Sequence, residues 1–359
     1  MSDQRMRDLG FTEKYIQEAS RYEGLYLGRV IAQYKDLYKV ATAETELLAE
    51  ISGKLRYASE EISDYPAVGD FVLLDREDSQ AGNAIIHRIL PRKSAFVRKA
   101  AGTAHEVQVV AANIDTVFIC MSLNRDFNLR RLERYLSIAW DSGALPVIVL
   151  TKADIGGDLA AKLAEIRETA AGVDILVTSS LTADGCQAVL PYIRPGQTVA
   201  FLGSSGVGKS TLINRLLGEE IMATREIRQD DKGRHATTRR ELFLIPAGGA
   251  VIDTPGMREL GVESADLGRT FTDIEELAGR CRFQDCRHAQ EPGCAVRKAV
   301  AEGLISEERL LSYQKLKKEA RYEGLNSRQI EKEKITEMFA GFGGVKNARD
   351  FAKAKNKKR

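Results

Sequence analysis

The sequence predicts a multidomain chain with a small closed β-barrel first, an α/β domain with a mainly parallel sheet in the middle, and a helical segment organised by a metal ion last. Three observations carry this. Residues 24 to 94 hold five short apolar runs separated by polar turns, a strand density that suits a closed barrel. From residue 117 onward apolar runs alternate with segments of helical period, the pattern of parallel strands covered on both faces. Residues 281 to 294, CRFQDCRHAQEPGC, then bring three cysteines and a histidine together.

Composition bounds the possibilities. A chain of 359 residues, 43% apolar and 29% charged, can bury two or three cores and is neither fibrous nor disordered in composition. Its net charge of +2 selects no partner. The start, MSDQRMRDLGFTEKY, contains no apolar leader, and runs such as VIVL or VFIC fall far short of a membrane span, so a cytoplasmic location without membrane attachment is expected. Five cysteines, an odd number, argue for a metal over a disulfide framework.

Residues 1 to 23 read as an N-terminal extension. Within 24 to 98, LGRVIAQ, LYKVAT, ELLAEIS, DFVLLDR and AIIHRIL are the expected strands, and the OB-type barrel is the fold that five such strands build. Arg88, Arg92, Lys93, Arg98 and Lys99 gather near Phe96 with no acid among them. Such a cluster could track an RNA backbone and stack a base.

The α/β domain spans 105 to 275. Its expected strands are VFICMSL (117 to 123), VIVLTKAD (147 to 154), DILVTSS (174 to 180), TVAFLG (198 to 203) and AVIDTPG (250 to 256), with LRRLERYLSIAW (129 to 140) and LAAKLAEIRETAA (159 to 171) as helices between them. In such sheets ligands bind at the carboxyl ends of the strands, and every motif sits at one. The strand TVAFL leads into Gly203-Ser204-Ser205-Gly206-Val207-Gly208-Lys209-Ser210-Thr211, the strand, glycine-rich turn and helix that a polyphosphate requires. Lys209 is positioned for the β and γ phosphates and the Ser210 hydroxyl for Mg²⁺. Asp253-Thr254-Pro255-Gly256 ends another strand, where Asp253 can hold Mg²⁺ and the Gly256 N–H can sense a γ-phosphate.

Thr151-Lys152-Ala153-Asp154 fits the base-reading element of guanine-nucleotide proteins, because the Asp154 carboxylate can accept from both N1–H and N2–H of guanine. Thr178-Ser179-Ser180 fits the second base loop, with a backbone N–H at Ser179 facing the base oxygen. In an ordinary GTPase the phosphate loop comes first; here both base loops precede it. The domain is therefore expected to be a circularly permuted GTPase, hydrolysing GTP to GDP and phosphate with Mg²⁺.

Residues 219 to 240 form the polar stretch EEIMATREIRQDDKGRHATTRR, placed where a switch loop with a Mg²⁺-binding threonine belongs. Thr237 and Thr238 are both candidates. Met257 stands where some GTPases carry a water-orienting glutamine, so His235 is the candidate that acts when a partner orders the loop. Within 276 to 326, Cys281, Cys286, His288 and Cys294 make a closed tetrahedral set suited to one structural Zn²⁺. The final segment, 327 to 359, ends in KNARDFAKAKNKKR, a basic tail suited to RNA phosphates.

Taken together, TKAD and TSS ahead of GSSGVGKS, then GRHATT, DTPGMRELG and the Cys/Cys/His/Cys element behind an OB-like barrel, the chain resembles the ribosome small-subunit-dependent GTPase A family over roughly residues 24 to 325. The resemblance implies a monomeric, late-acting maturation factor of the small ribosomal subunit that binds its rRNA, is stimulated by the subunit and promotes release of another assembly factor. It also implies guanine contacts by Lys152 and Asp154, phosphate and Mg²⁺ contacts by Lys209, Ser210 and Asp253, and zinc held by Cys281, Cys286, His288 and Cys294. Thr151 departs from the usual asparagine, which predicts a lost bond between base loop and phosphate loop. A GTP-regulated RNA-binding translational regulator, with hydrolysis incidental, is the alternative function.

Overall fold

In a computed structural model, residues 2–34, 37–78, 82–99, 107–124, 127–155, 158–179, 185–220, 240–253 and 267–321 are described. His235, Thr237, Thr238, Gly256 and Met257 lie outside them, as does the basic tail.

Five strands close the barrel: β1 (Tyr26–Gln33), β2 (Tyr38–Ala41), β3 (Glu46–Ile51), β4 (Phe71–Leu74) and β5 (Ala84–Ile89). They run in the order β1-β2-β3-β5-β4, and the circle closes by pairing of β1 with β4 from Tyr26 opposite Leu74 to Arg29 opposite Phe71. Alternation drives the closure, since Val30, Val40, Leu47, Val72, Leu74 and Ile86 all reach one buried cluster. Gly28 faces that interior, where an added Cβ would meet Val40 at 2.5 Å.

Two short helices precede the barrel, α1 (Ser2–Asp8) and α2 (Glu13–Ala19). Residues 1 to 23 are thus more than an appendage: Leu9, Phe11 and Tyr15 are buried in the main core, and Tyr15 stacks on Phe71 at 3.9 Å between ring centroids. Burial of each such side chain is worth about 1.5–3 kcal/mol. Helix α3 (Gly53–Ala58) follows β3, with its first turn capped by Ser52 Oγ accepting from Leu55 N at 3.1 Å. A ribbon of β6 (Ala95–Lys99) and β7 (Val107–Ala112) then leads into the α/β part.

That part is a six-stranded sheet, β10-β9-β8-β11-β13-β12, made from β8 (Thr116–Ser122), β9 (Leu145–Thr151), β10 (Asp174–Val177), β11 (Thr198–Gly203), β12 (Arg240–Leu244) and β13 (Ala250–Asp253). All neighbours are parallel except β12, which runs antiparallel to β13. The all-apolar central strands read as they do because helices cover both faces: α4 (Leu129–Ser142), α5 (Leu159–Thr169) and α6 (Lys209–Leu217). Beyond it come α7 (Leu267–Thr270), α8 (Thr272–Ala278), α9 (Ala295–Ala301) and α10 (Glu307–Arg321).

The barrel and the α/β sheet are continuous. Antiparallel pairing of β1 with β12 places Ala32 opposite Glu241 and Gln33 opposite Arg240. Behind this seam Arg29, fully buried, donates to Leu9 O at 2.7 Å, to Gly69 O at 3.3 Å and to the hydroxyl of Thr198 at 2.7 Å, with its guanidinium 4.8 Å from the Phe71 ring. Burial lowers the Arg29 pKa to about 10, opposed by the nearby Asp115, so the side chain stays charged at neutral pH.

The basic cluster expected to bind RNA resolves differently. Phe96 is buried and cannot stack a base. Arg92 holds the buried Asp70 through two nitrogens, both at 2.8 Å, and also donates to Ser63 O and Tyr65 O. Arg88 lies over the Tyr22 ring at 4.6 Å, Lys93 bonds Asp115, and Arg98 reaches Gln108. Four of the five basic residues, Arg88, Arg92, Lys93 and Arg98, are thus each paired with a group elsewhere in the chain, while the Lys99 side chain lies outside the described residues.

Candidate functional site

The phosphate loop joins β11 to α6 at the carboxyl edge of the parallel sheet. Gly203 ends the strand with φ 147°, and an added Cβ would meet Cys120 O of β8 at 2.5 Å. Only glycine lets the backbone turn upward there. Gly208, at φ 108°, starts α6 and leaves the first N–H groups of the helix facing the loop. Lys209 Nζ curls back to donate to Gly203 O at 2.7 Å and Ser204 O at 2.6 Å, which lays the ammonium along the inside of the loop. Val207 is fully buried and anchors the middle, while Ser205 and Gly206 are exposed and Ser210 and Thr211 are half-buried in the first turn. This is a cradle of backbone donors and one cation, fit for a polyphosphate.

The two loops expected to read a base converge on it. Thr151 ends β9, and its hydroxyl donates to Val207 O at 2.6 Å. The bond that replacement of asparagine was expected to cost is therefore made by threonine, which needs only a hydroxyl because the two backbones approach closely. Lys152, held at φ 57°, extends its ammonium to Gly206 O at 2.8 Å. Asp154 is exposed and accepts from the Ser179 hydroxyl at 2.5 Å, so the two base loops are joined side chain to side chain. Thr178 N donates to Leu150 O at 2.7 Å, fixing the second loop to the strand that carries the first. An aspartate oriented by a serine, beside a lysine whose stem lies across the loop, can receive a base edge.

Asp253, half-buried, ends β13 two strands away from β8 and adjacent to β11. Its strand pairs in parallel with β11, the strand that runs into the phosphate loop, and the Asp253 carboxylate and the Ser210 hydroxyl in the first turn of α6 are both oxygen donors of the kind a hard divalent cation takes. Cys120 of β8, paired opposite Gly203 of β11, is buried, and burial pushes its thiol up to about 12. Of the expected site, His235, Thr237, Thr238 and Gly256 lie outside the described residues.

The second cluster is self-contained. The ligand atoms of Cys281, Cys286, His288 and Cys294 all lie within 4.8 Å of one another. Cys281 Sγ is 3.8 Å from Cys294 Sγ, and His288 Nδ1 is 3.6 Å from the first and 3.5 Å from the second. A tetrahedral zinc ion with ordinary bond lengths demands about 3.8 Å between sulfurs and about 3.6 Å between sulfur and nitrogen. The residues fit the ion. His288 reaches its place from a left-handed backbone at φ 57° and is held by Gln314 of α10 donating to its carbonyl at 3.0 Å. Cys294 caps α9 by accepting from Arg297 N at 3.3 Å. Phe271, Ile274, Val296, Leu310 and Tyr313 supply a small apolar core around the cluster.

Sequence reasoning placed a helix at 129 to 140 but missed that it bridges the two clusters. Arg131 on α4 donates to the Ser204 hydroxyl of the phosphate loop. Two residues on, Glu133, almost fully buried, pairs with Arg309 of α10 at 2.8 Å, and Ser137 bonds Thr270 of α7 at 3.0 Å. Arg309 also holds Asp273 through two nitrogens and stacks 5.0 Å from Phe271. In sequence these are ordinary charged positions on an amphipathic helix, and no local signal distinguishes them.

Known proteins match this arrangement. The profile of the RsgA GTPase family matches residues 89–263. The small ribosomal subunit biogenesis GTPase RsgA 2 of Lactiplantibacillus plantarum is 52% identical over 341 residues, covering 95% of this chain and 96% of that protein. The small ribosomal subunit biogenesis GTPase RsgA of Methanosarcina acetivorans is 44% identical over 337 residues, covering 92% and 90%. Among solved structures, the crystal structure of YjeQ from Thermotoga maritima matches with a TM-score of 0.61 and 27% identity, covering 82% of this chain and 98% of that one. YloQ, a circularly permuted GTPase, shares the fold with a TM-score of 0.58 at 24% identity, covering 83% and 96%. With the permuted strand order, the joined phosphate and base loops and a relative matching nearly end to end, the chain belongs to the RsgA GTPase family.

Proposed function

We propose that this chain is a Mg²⁺-dependent GTP hydrolase that acts in maturation of the small ribosomal subunit. The observation that carries the reading is the direct bond between the two loops that must share one nucleotide, Thr151 Oγ1 to Val207 O at 2.6 Å. With base and phosphate loops fastened to each other, the distance between a bound base and its phosphates is preset. Asp154 then selects guanine over adenine by accepting from N1–H and N2–H, with Ser179 orienting the carboxylate. Lys209 and the loop N–H groups take the phosphates, and Ser210 and Asp253 hold Mg²⁺, which on binding neutralises phosphate charge. Gly256, Thr237 or Thr238, and His235 are assigned the γ-phosphate contact, the second Mg²⁺ contact and the water-orienting role. Zinc at Cys281, Cys286, His288 and Cys294 is structural, since four protein ligands leave no open position for chemistry.

The ribosomal part of the reading is supported by relatives named small ribosomal subunit biogenesis GTPases that align over almost the whole chain. Binding to rRNA, stimulation by the subunit, release of a further assembly factor, action as a monomer and a cytoplasmic location belong to the same proposal. No helix among the described residues is long and apolar enough to cross a membrane. The test is GTP turnover by the zinc-replete chain alone, with small subunits and with large subunits. Stimulation by small subunits only is expected; equal rates in all three would leave a GTP-binding regulator instead.

A further inference from the structure

Helix α4 is gripped from two sides. Arg131, in its first turn, donates to the Ser204 hydroxyl of the phosphate loop. Two residues on, about 200° round the helix, Glu133 meets Arg309 of α10 at 2.8 Å. Ser137, one turn beyond Glu133 on the same face, bonds the Thr270 hydroxyl of α7 at 3.0 Å. The phosphate loop therefore holds one side of the helix, and the C-terminal unit around the cysteine cluster holds the other.

An ion pair is an expensive joint in such a place. Both partners are largely withdrawn from water, with side-chain exposures of 4% for Glu133 and 14% for Arg309. A buried pair offsets its desolvation only with good geometry and further hydrogen bonds, and apolar residues of similar volume are often at least as stable. Here the further bonds are present. Ser312 bonds the Glu133 carboxylate, and Arg309 donates to both oxygens of Asp273, at 2.8 and 2.9 Å, and to Thr270 O at 3.0 Å. Directional bonds supply a single register, which apolar packing does not. Leu132, Leu136 and Ala139 of α4 lie in the main core, and contacts of that kind alone tolerate a small slide or rotation of the helix.

The register is felt at Ser204. Its hydroxyl receives Arg131 and its carbonyl receives Lys209 Nζ at 2.6 Å, so this residue is where α4 is fastened to the loop. Misplacing a reacting centre by about 1 Å can cost about 10²-fold in rate, whereas binding of a nucleotide is shared over the whole loop and both base loops. We infer that Glu133 and Arg309 are positioning residues for GTP hydrolysis: the pair fixes the register of α4, and α4 acting through Arg131 fixes the phosphate loop at Ser204. The inference rests on the proposed GTPase reaction. Neither residue is assigned a proton-transfer step or a contact with the nucleotide.

The experiment uses the full-length, zinc-replete chain and measures GTP turnover alone and with saturating small subunits, the Kd for GDP, and the urea unfolding midpoint. The variants are Arg309→Met, which strands Glu133, and Glu133→Met combined with Arg309→Met, which replaces the pair by apolar side chains. Arg309→Met should lower the midpoint, and the double variant should regain most of the loss. The kcat should not follow the midpoint. A fall of about tenfold is expected in both variants, with and without subunits, while the KM for GTP and the Kd for GDP stay within about threefold. Should Arg309→Met fail to fold, the double variant carries the comparison. Recovery of kcat along with the midpoint, or a wild-type kcat in a variant of lowered midpoint, would overturn the inference and leave the pair a structural clamp. A fall seen only with subunits would overturn it too, since that marks lost docking. A wild-type chain that turns over no GTP would remove the function and the inference together, so the two failures are distinguishable.

Discussion

The four candidate zinc ligands all fall within the fourteen residues from Cys281 to Cys294, whereas the candidate nucleotide site is assembled from Thr151, Lys152, Asp154, Ser179 and residues 203 to 210 by bonds that span 56, 54 and 25 positions. A site made of neighbours can form as soon as its ion binds, because the segment has no large core to wait for. A site made of distant loops forms only when the parallel sheet has set its strand ends side by side. The first is all-or-none in its metal; the second is graded, since each tether can be cut separately.

Removing the metal should give the largest effect. Chelation, or Cys286→Ser, is expected to unfold residues 281 to 321 locally, because structural zinc contributes about 10 kcal/mol or more to such folds. Circular dichroism and metal analysis would register the loss, while GDP affinity should stay within about threefold; a collapse of GDP binding would mean the two plans are not separate. Next comes Arg29→Met, which strands the Leu9 carbonyl and the Thr198 hydroxyl in the seam between barrel and sheet. Urea unfolding should show a loss of about 3 kcal/mol. Thr151→Val removes one tether and should weaken GDP binding by about 1–3 kcal/mol, with Thr151→Asn restoring most of it; calorimetric titration decides. The smallest effect belongs to Phe96→Leu, expected to cost about 1 kcal/mol of stability and to leave RNA affinity unaltered in a filter-binding assay. A marked loss of RNA binding there would reinstate Phe96 as a stacking platform.

The same contrast explains what could be read from sequence. The phosphate loop, TKAD, the cysteine cluster and the five barrel strands are contiguous signals, and each was legible with its approximate bounds. The permuted order was legible because it depends only on which motif comes first. What stayed hidden depends on partners far away in the chain. Arg92 looks like a free cation until Asp70, Ser63 and Tyr65 surround it. Thr151 looks like a defect until Val207 O lies within reach of its hydroxyl. The N-terminal residues look like an appendage because Leu9, Phe11 and Tyr15 are too few to announce a core, yet they fill the space where the barrel meets the sheet.

The pairing of β1 with β12 has a bearing on any attempt to divide the molecule. Severed between residues 99 and 107, the barrel would present the Ala32 and Gln33 side of β1, and the remaining sheet would present β12, to the solvent. Each would be a bare edge of N–H and C=O groups able to recruit another chain. In the intact protein each part serves as the selvedge of the other.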